Sequence, residues 1–161
     1  MRMQQEYKFN YTIYNNLEEL TAEDKQLVIA ARDNTKNAFA PYSKFNVSAV
    51  AKMKSGNIYK ATNQENASFP VGICAERALL SVISSYAPNE EIETLVVSYD
   101  NKNGKSNHPI SPCGMCRQAL VEYEGRTAGY KVIMTGQEGE IIILENAKSL
   151  LPFSFSSDDM K

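Results

Sequence analysis

Two short runs hold every cysteine of this 161-residue chain: "ICAER", with Cys74 and Glu76, and "SPCGMCRQ", with Cys113 and Cys116. Both runs precede stretches of helical character. At a helix start, unpaired backbone N–H groups and the positive end of the helix dipole stabilise thiolates. A single cysteine is most often a small buried hydrophobe, and that reading suffices for Cys74 taken alone. A redox pair would use Cys113 and Cys116, but it leaves Cys74 unexplained and sits in a different strand–helix context from thioredoxin-like motifs. Disulfides cannot pair three cysteines within one chain, and a reducing cytosol keeps thiols free.

Zinc accounts for all three. Three protein ligands leave a fourth tetrahedral position for water, the arrangement of catalytic rather than structural sites. The only histidine, His108, lies five positions before Cys113 in the polar loop "SNHPISPC". A closed Cys3His site is the weaker reading, because structural ligands come in closely spaced pairs and Cys74 has no near partner. His108 then reads as an ordinary loop residue. Glu76 follows Cys74 by two, so at a first helical turn both can border a pocket over the helix end. An acid beside an open zinc position can carry a proton from water to a substrate. Taken singly, Glu76 is explained equally well as a first-turn acid complementing its helix dipole.

The elements that must position these residues can be read from periodicity and punctuation. "YKFNYTIY" (residues 7 to 14) alternates apolar and polar, which suggests a short strand or a docked extended arm. "TAED" from Thr21 is a capping pattern, predicting a helix from Ala22 to about Ala38, ahead of Pro41. "FNVSAVAKM" and "NIYKATN" read as a hairpin with Gly56 in its turn. "CAERALLSVISSYA" has apolar residues at helical spacing: Leu79, Val82, Ile83 and Tyr86. "ETLVVSY" reads as a buried strand and "PCGMCRQALVEY" as a helix opening at its proline. "YKVIMT" and "EIIIL" add two strands around "GQEG". The expected fold is α/β: a three-layer α-β-α sandwich with a five-stranded mixed sheet, built as one domain over residues 21 to 161 behind an N-terminal extension, 1 to 20.

Composition narrows the function classes. Seventeen basic against nineteen acidic residues give a net charge of -2, with the basic residues scattered, which argues against nucleic acid as the main partner. No run approaches a membrane span and no leader pattern opens the chain, so a soluble, cytoplasmic protein is expected. The N-x-[ST] matches at Asn10, Asn46 and Asn66 then read as chance.

Together, "CAE" and "PCGMC", with 38 residues between Cys74 and Cys113, resemble the signature of zinc deaminases, with cysteine in place of histidine. The chain resembles the small, all-cysteine, homotetrameric cytidine deaminases. The likeness runs through "APYSKFNVSAV", "NQENASFPVGICAER", "SPCGMCRQ" and "LLPFSF". It implies one zinc per chain on Cys74, Cys113 and Cys116, with water as fourth ligand and Glu76 as proton shuttle from water to N3 and then to the leaving amine. It implies that Phe45 packs on the pyrimidine, that Asn63 and Glu65 bind the ribose 3'-hydroxyl, and that the Ala75 backbone meets the base's polar edge. Phe155 would reach into a neighbouring subunit's site. Arg77 would donate hydrogen bonds to thiolate sulfur, offsetting a cluster that three thiolates leave at about -1.

The implied reaction is hydrolytic deamination of cytidine and 2'-deoxycytidine in pyrimidine salvage. An acid at Glu65 suits free nucleosides better than nucleotides, since it would repel a phosphate. Other readings are a deaminase of another cytosine-containing small molecule, such as blasticidin S, and a non-catalytic zinc module. "NQENA" stands against the first of these. The chain departs from the family at Phe69, where tyrosine is frequent, in the tail "SSDDM", and in its first 16 residues, which have no counterpart.

Overall fold

The computed structural model describes residues 3–161. Its centre is a mixed sheet in the order β1-β6-β5-β4-β2-β3, with β1 Thr12–Tyr14, β2 Phe45–Met53, β3 Ile58–Thr62, β4 Ile92–Asn101, β5 Lys131–Thr135 and β6 Ile141–Leu144. The three main helices are α1 Ala22–Asn34, α2 Ala75–Tyr86 and α3 Gly114–Arg126.

Strand alternation sorts the apolar side chains into two cores. Val50, Val96, Ile133, Ile141 and Ile143 face Leu27, Val28 and Ala31 of α1. Ala49, Ala51, Leu95, Val97, Val132 and Met134 point to the opposite face, against Leu79 and Ile83 of α2 and Leu120 of α3. With both faces covered, β4 is buried from Thr94 to Tyr99, which explains its unbroken run "TLVVSY". The expected α-β-α sandwich is therefore present.

The sheet has six strands rather than the expected five. The additional one is the end of the alternating N-terminal stretch: Thr12 pairs with Ile143 and Tyr14 with Ile141, antiparallel to β6. Alternation reveals the strand character of residues 12–14. It carries no information about a partner some 130 positions away, which only the fold brings alongside.

The hairpin of β2 and β3 turns at Gly56, whose φ of 91° is open to glycine. Helix α1 begins where "TAED" places it, with the Thr21 hydroxyl accepting from Asp24 N at 3.1 Å. It ends at Asn34, earlier than expected, and tightens into a 3-10 turn over Thr35–Asn37. Asn34 donates to Ser48 Oγ (2.9 Å) and Ala61 O, tying the end of the helix to the sheet.

Parallel β4 and β5 are joined through α3, while α2 precedes β4. This topology brings the N-termini of α2 and α3 together on one face of the sheet.

Candidate active site

Cys74 is the N-cap of α2 and Cys113 the N-cap of α3; Cys116 sits one turn into α3. Neither N-cap cysteine caps its helix with a side-chain hydrogen bond, so both sulfurs are free to face each other. Cys74 Sγ lies 3.9 Å from Cys113 Sγ, which lies 3.5 Å from Cys116 Sγ, and all three are within 4.8 Å of one another. Four ligands at ~2.3 Å around tetrahedral zinc have sulfurs ~3.8 Å apart. The donor type and the triangle therefore fit zinc. Among the described residues, this cluster holds the three cysteines alone, and His108 is not part of it.

The thiols divide their proton unequally. Hydrogen bonding from Cys116, with help from Cys113 and the Arg77 charge, lowers Cys74 to about 6 against the opposing effects of burial and Glu76. Cys116 is pushed up by its interaction with Cys74, by burial and by the charge of Glu76. Arg77 acts on Cys74 through its charge; no hydrogen bond joins its guanidinium to a sulfur among the described residues.

A cavity of about 700 Å³ opens over the cluster, in the size range of small-molecule sites. Cys74 and Cys113 line it, and Cys116 lies buried. Glu76 lines it too, with only 4% of its surface exposed, and burial raises its carboxyl above the ordinary range. An acid so placed holds a proton more readily near neutral pH.

The remaining expected residues reach the cavity along a short ladder. Glu65 N donates to Phe39 O (2.8 Å), and Gln64 exchanges two hydrogen bonds with Ile73, each 3.0 Å. Residues 63–65 are thereby held between the turn before β2 and the strand-like entry to α2. Asn63 and Glu65, two apart, both line the cavity, as do Phe45, Ala75 and Arg77. Asn63 also donates to Phe45 O (2.9 Å) and accepts from Val47 N (2.7 Å). Each of its two amide ends keeps further capacity, a second N–H and a second lone pair. Phe155 does not line this cavity; it is 60% exposed on the C-terminal tail, its carbonyl accepting from Gln118 Nε2 at 2.8 Å. Phe69 stands at the cavity mouth, edge-on to Tyr42 with ring centroids 6.0 Å apart.

Two features escape sequence reading. Glu65 accepts from Tyr42 N (2.9 Å) and Ser43 N (3.3 Å), clamping the turn in which Lys44 takes a left-handed φ of 59° immediately before Phe45. Ser43, hydrogen bonds from Tyr42 and the Lys44 charge hold the Glu65 carboxyl below its ordinary value. The second is Arg117, which donates to Pro112 O (2.9 Å) and Leu150 O (3.2 Å), pinning the cysteine loop to the C-terminal segment. Its place in "PCGMCRQ" was the available signal.

Residues 21–134 match the family described as the cytidine and deoxycytidylate deaminase zinc-binding region. The chain belongs to this family. A cytidine deaminase of Halalkalibacterium halodurans is 35% identical over 138 residues, covering 85% of this chain and 98% of that protein. One from Sporosarcina psychrophila is 35% identical over 146 residues, covering 90% and 95%. Among solved structures, the cytidine deaminase of Burkholderia pseudomallei superposes with a TM-score of 0.70 at 33% identity, over 84% of this chain and all of that one. These relatives are spanned nearly whole, so the likeness includes the complete deaminase unit and both cysteine runs.

Proposed function

We propose that this protein is a zinc-dependent cytidine deaminase that converts cytidine and 2'-deoxycytidine to the corresponding uridines and ammonia, as a step of pyrimidine salvage. The observation that carries the reading is the buried acid Glu76 beside a three-thiol cluster that opens on a nucleoside-sized cavity. Cys74, Cys113 and Cys116 would hold one zinc ion per chain. Bound there, zinc supplies Lewis acidity that makes water a nucleophile near neutral pH.

The chain's own residues do the rest. Glu76 takes the proton from the attacking water and passes it to ring N3 as C4 becomes tetrahedral. It then carries the proton of the new C4 hydroxyl to the departing amine, so that ammonia leaves as the C4 carbonyl forms, and its raised proton affinity suits both transfers. The Ala75 backbone, at the first turn of α2, meets the polar edge of the base. Phe45 presents a flat apolar surface to the pyrimidine. Asn63 and Glu65 hydrogen-bond the ribose 3'-hydroxyl, and the negative charge on Glu65 disfavours a phosphorylated sugar. Arg77 offsets the excess charge of the thiolates.

In this reading Phe155, exposed and away from its own chain's cavity, completes the site of a neighbouring subunit in a homotetramer. The catalytic domain spans residues 21 to 161 behind an N-terminal extension, and the enzyme works in the cytoplasm. Among the described residues no helix is long and apolar enough to cross a membrane.

The test offers cytidine, deoxycytidine, CMP and blasticidin S to purified protein of known zinc content, following the ultraviolet change. Turnover of the two nucleosides above the others is expected. Preference for CMP, or inactivity with zinc fully bound, refutes the assignment. Glu76→Gln should keep zinc while lowering kcat by ~10²–10⁴, the usual contribution of a positioned acid–base group.

A further inference from the structure

We infer that Tyr99, anchored by His108, is a positioning residue that fixes the ring plane of Phe45 and so sets how tightly the pyrimidine binds. This rests on the placement of Phe45 against the base proposed above. Phe45 pairs with Asn101 across β2 and β4, and Val47 pairs with Tyr99, so Phe45 and Tyr99 are diagonal neighbours on one face of the sheet. Their rings stack with centroids 4.9 Å apart and planes 16° from parallel. Phe45 lines the cavity and Tyr99 does not: it is 1% exposed and lies behind. One face of Phe45 is therefore committed to Tyr99.

Tyr99 is itself held from behind. Its hydroxyl lies 3.3 Å from His108 Nδ1, with the two rings edge-to-face at 5.7 Å, and either group can donate. Among the described residues the partners of that hydroxyl all belong to His108, its ring and its backbone. A buried phenol needs such a partner. The loop that carries His108 is docked rather than free. Ser106 O accepts from Gln137 N (2.7 Å) and Glu138 N (3.2 Å), and Gln137 Nε2 donates to Tyr99 O (3.2 Å). The approach is close enough that a Cβ on Gly136 would stand 2.3 Å from Ser106 O and 2.8 Å from His108 O. The 136–139 turn thus holds His108, His108 holds Tyr99, and Tyr99 holds Phe45. The lone histidine lies outside the three-thiol cluster and instead orients the wall of the substrate cavity.

Steady-state kinetics on the zinc-loaded enzyme test this with Tyr99→Leu, Tyr99→Phe, His108→Leu and His108→Gln. A stacked aromatic pair contributes enough for a roughly two- to tenfold effect when lost. Tyr99→Leu should raise KM for cytidine by about that factor, with kcat within twofold and zinc content unchanged. Tyr99→Phe keeps the stack and should stay nearer the parent. His108→Leu, an exposed change compatible with folding, should raise KM in the same direction, and His108→Gln, which can still hydrogen-bond the phenol, should restore it. An unchanged KM in both leucine variants overturns the proposal, as does a fall in kcat that tracks loss of zinc. Crystal structures of the same variants read the tilt of Phe45 directly. Should the parent protein not deaminate cytidine, a Phe45 ring unmoved in Tyr99→Leu still sinks the stack, and a tilted one upholds it.

Discussion

Glu124 offers a sharp test of how the structure holds its metal-binding loop from a distance. This carboxylate, 5% exposed on α3, accepts from Ala147 N and from Lys148 N (3.0 Å) through the same oxygen. It caps the short 3-10 turn Lys148–Leu150, whose Leu150 carbonyl accepts from Arg117, the residue that also grips Pro112 beside Cys113. In Glu124→Ala both N–H groups lose their acceptor. The Ala147 donor is buried and bears a full unsatisfied-donor cost of about 2–3 kcal/mol, whereas Lys148, partly reached by water, bears about 1. The sum, about 3–4 kcal/mol, is a large part of the ~5–15 kcal/mol available to a domain. At ~2–4 °C per kcal/mol for a chain of this size, melting should fall by about 6–16 °C. Glu124→Gln keeps an acceptor for both donors but loses its charge, and should cost about 1–2 kcal/mol. Calorimetry on the zinc-loaded protein measures both. A melting point within about 2 °C of the parent for Glu124→Ala would refute the assignment of this carboxylate as the turn's cap.

Gly136→Ala should destabilise by at least the ~1–3 kcal/mol typical of overpacking, because the Cβ meets backbone oxygens of Ser106 and His108 at 2.3 and 2.8 Å; chemical denaturation reads it, and a neutral result removes the docked-loop argument. Glu65 is depressed by its hydrogen bonds, so its contribution is full above the unfolded value near ~4.3 and is lost as pH falls through the lower folded value. The stability gap between the parent and Glu65→Gln should therefore close on acidification, and a gap constant from pH 7 to pH 3 contradicts the clamp on the 42–44 turn. In zinc-stripped protein Cys74 should be alkylated with a midpoint near pH 6, well below an ordinary thiol, as peptide mapping over a pH series would show. Reactivity is the proper readout, since the opposite shift of Cys116 offsets the effect of Cys74 on folding stability.

Much of this fold is legible in the sequence because its signals are local. The strand "FNVSAVAKM" occupies residues 45–53 as read, and the cap at Thr21 starts α1. The three-thiol cluster is legible for a chemical reason, since three thiols and one acid in two short runs have few joint explanations. Long-range partnerships are not legible. Nothing in "TIY" names "IIIL" as its partner, and nothing in "SNHPI" says that its histidine will meet the phenol of Tyr99. Glu65 is legible as a polar cavity residue only through the family resemblance, since its spacing alone suits a solvated strand end. Its hold on the backbone of Tyr42 and Ser43 depends on a ladder between segments that are distant in the chain.

The placement of two cysteines at helix N-caps resolves an electrostatic difficulty of an all-thiolate site. Ordinary N-caps spend their side chain on the first turn's N–H groups. Cys74 and Cys113 make no such bond, so the first-turn donors of α2 and α3 are not used up by these side chains, and the positive helix ends lie where the sulfurs sit. Each helix end offers roughly half a positive charge. Two of them together are of the right size to offset the ~-1 that three thiolates leave on a divalent ion, and Arg77 adds positive charge alongside. Glu76 gains from the same arrangement, because it needs no charged partner of its own and its proton affinity is set chiefly by burial. On this account a charge-removing change at Arg77 should weaken zinc retention while leaving the Glu76-dependent acid limb of activity in place, and a lost acid limb with zinc intact would put Arg77 in the proton path instead.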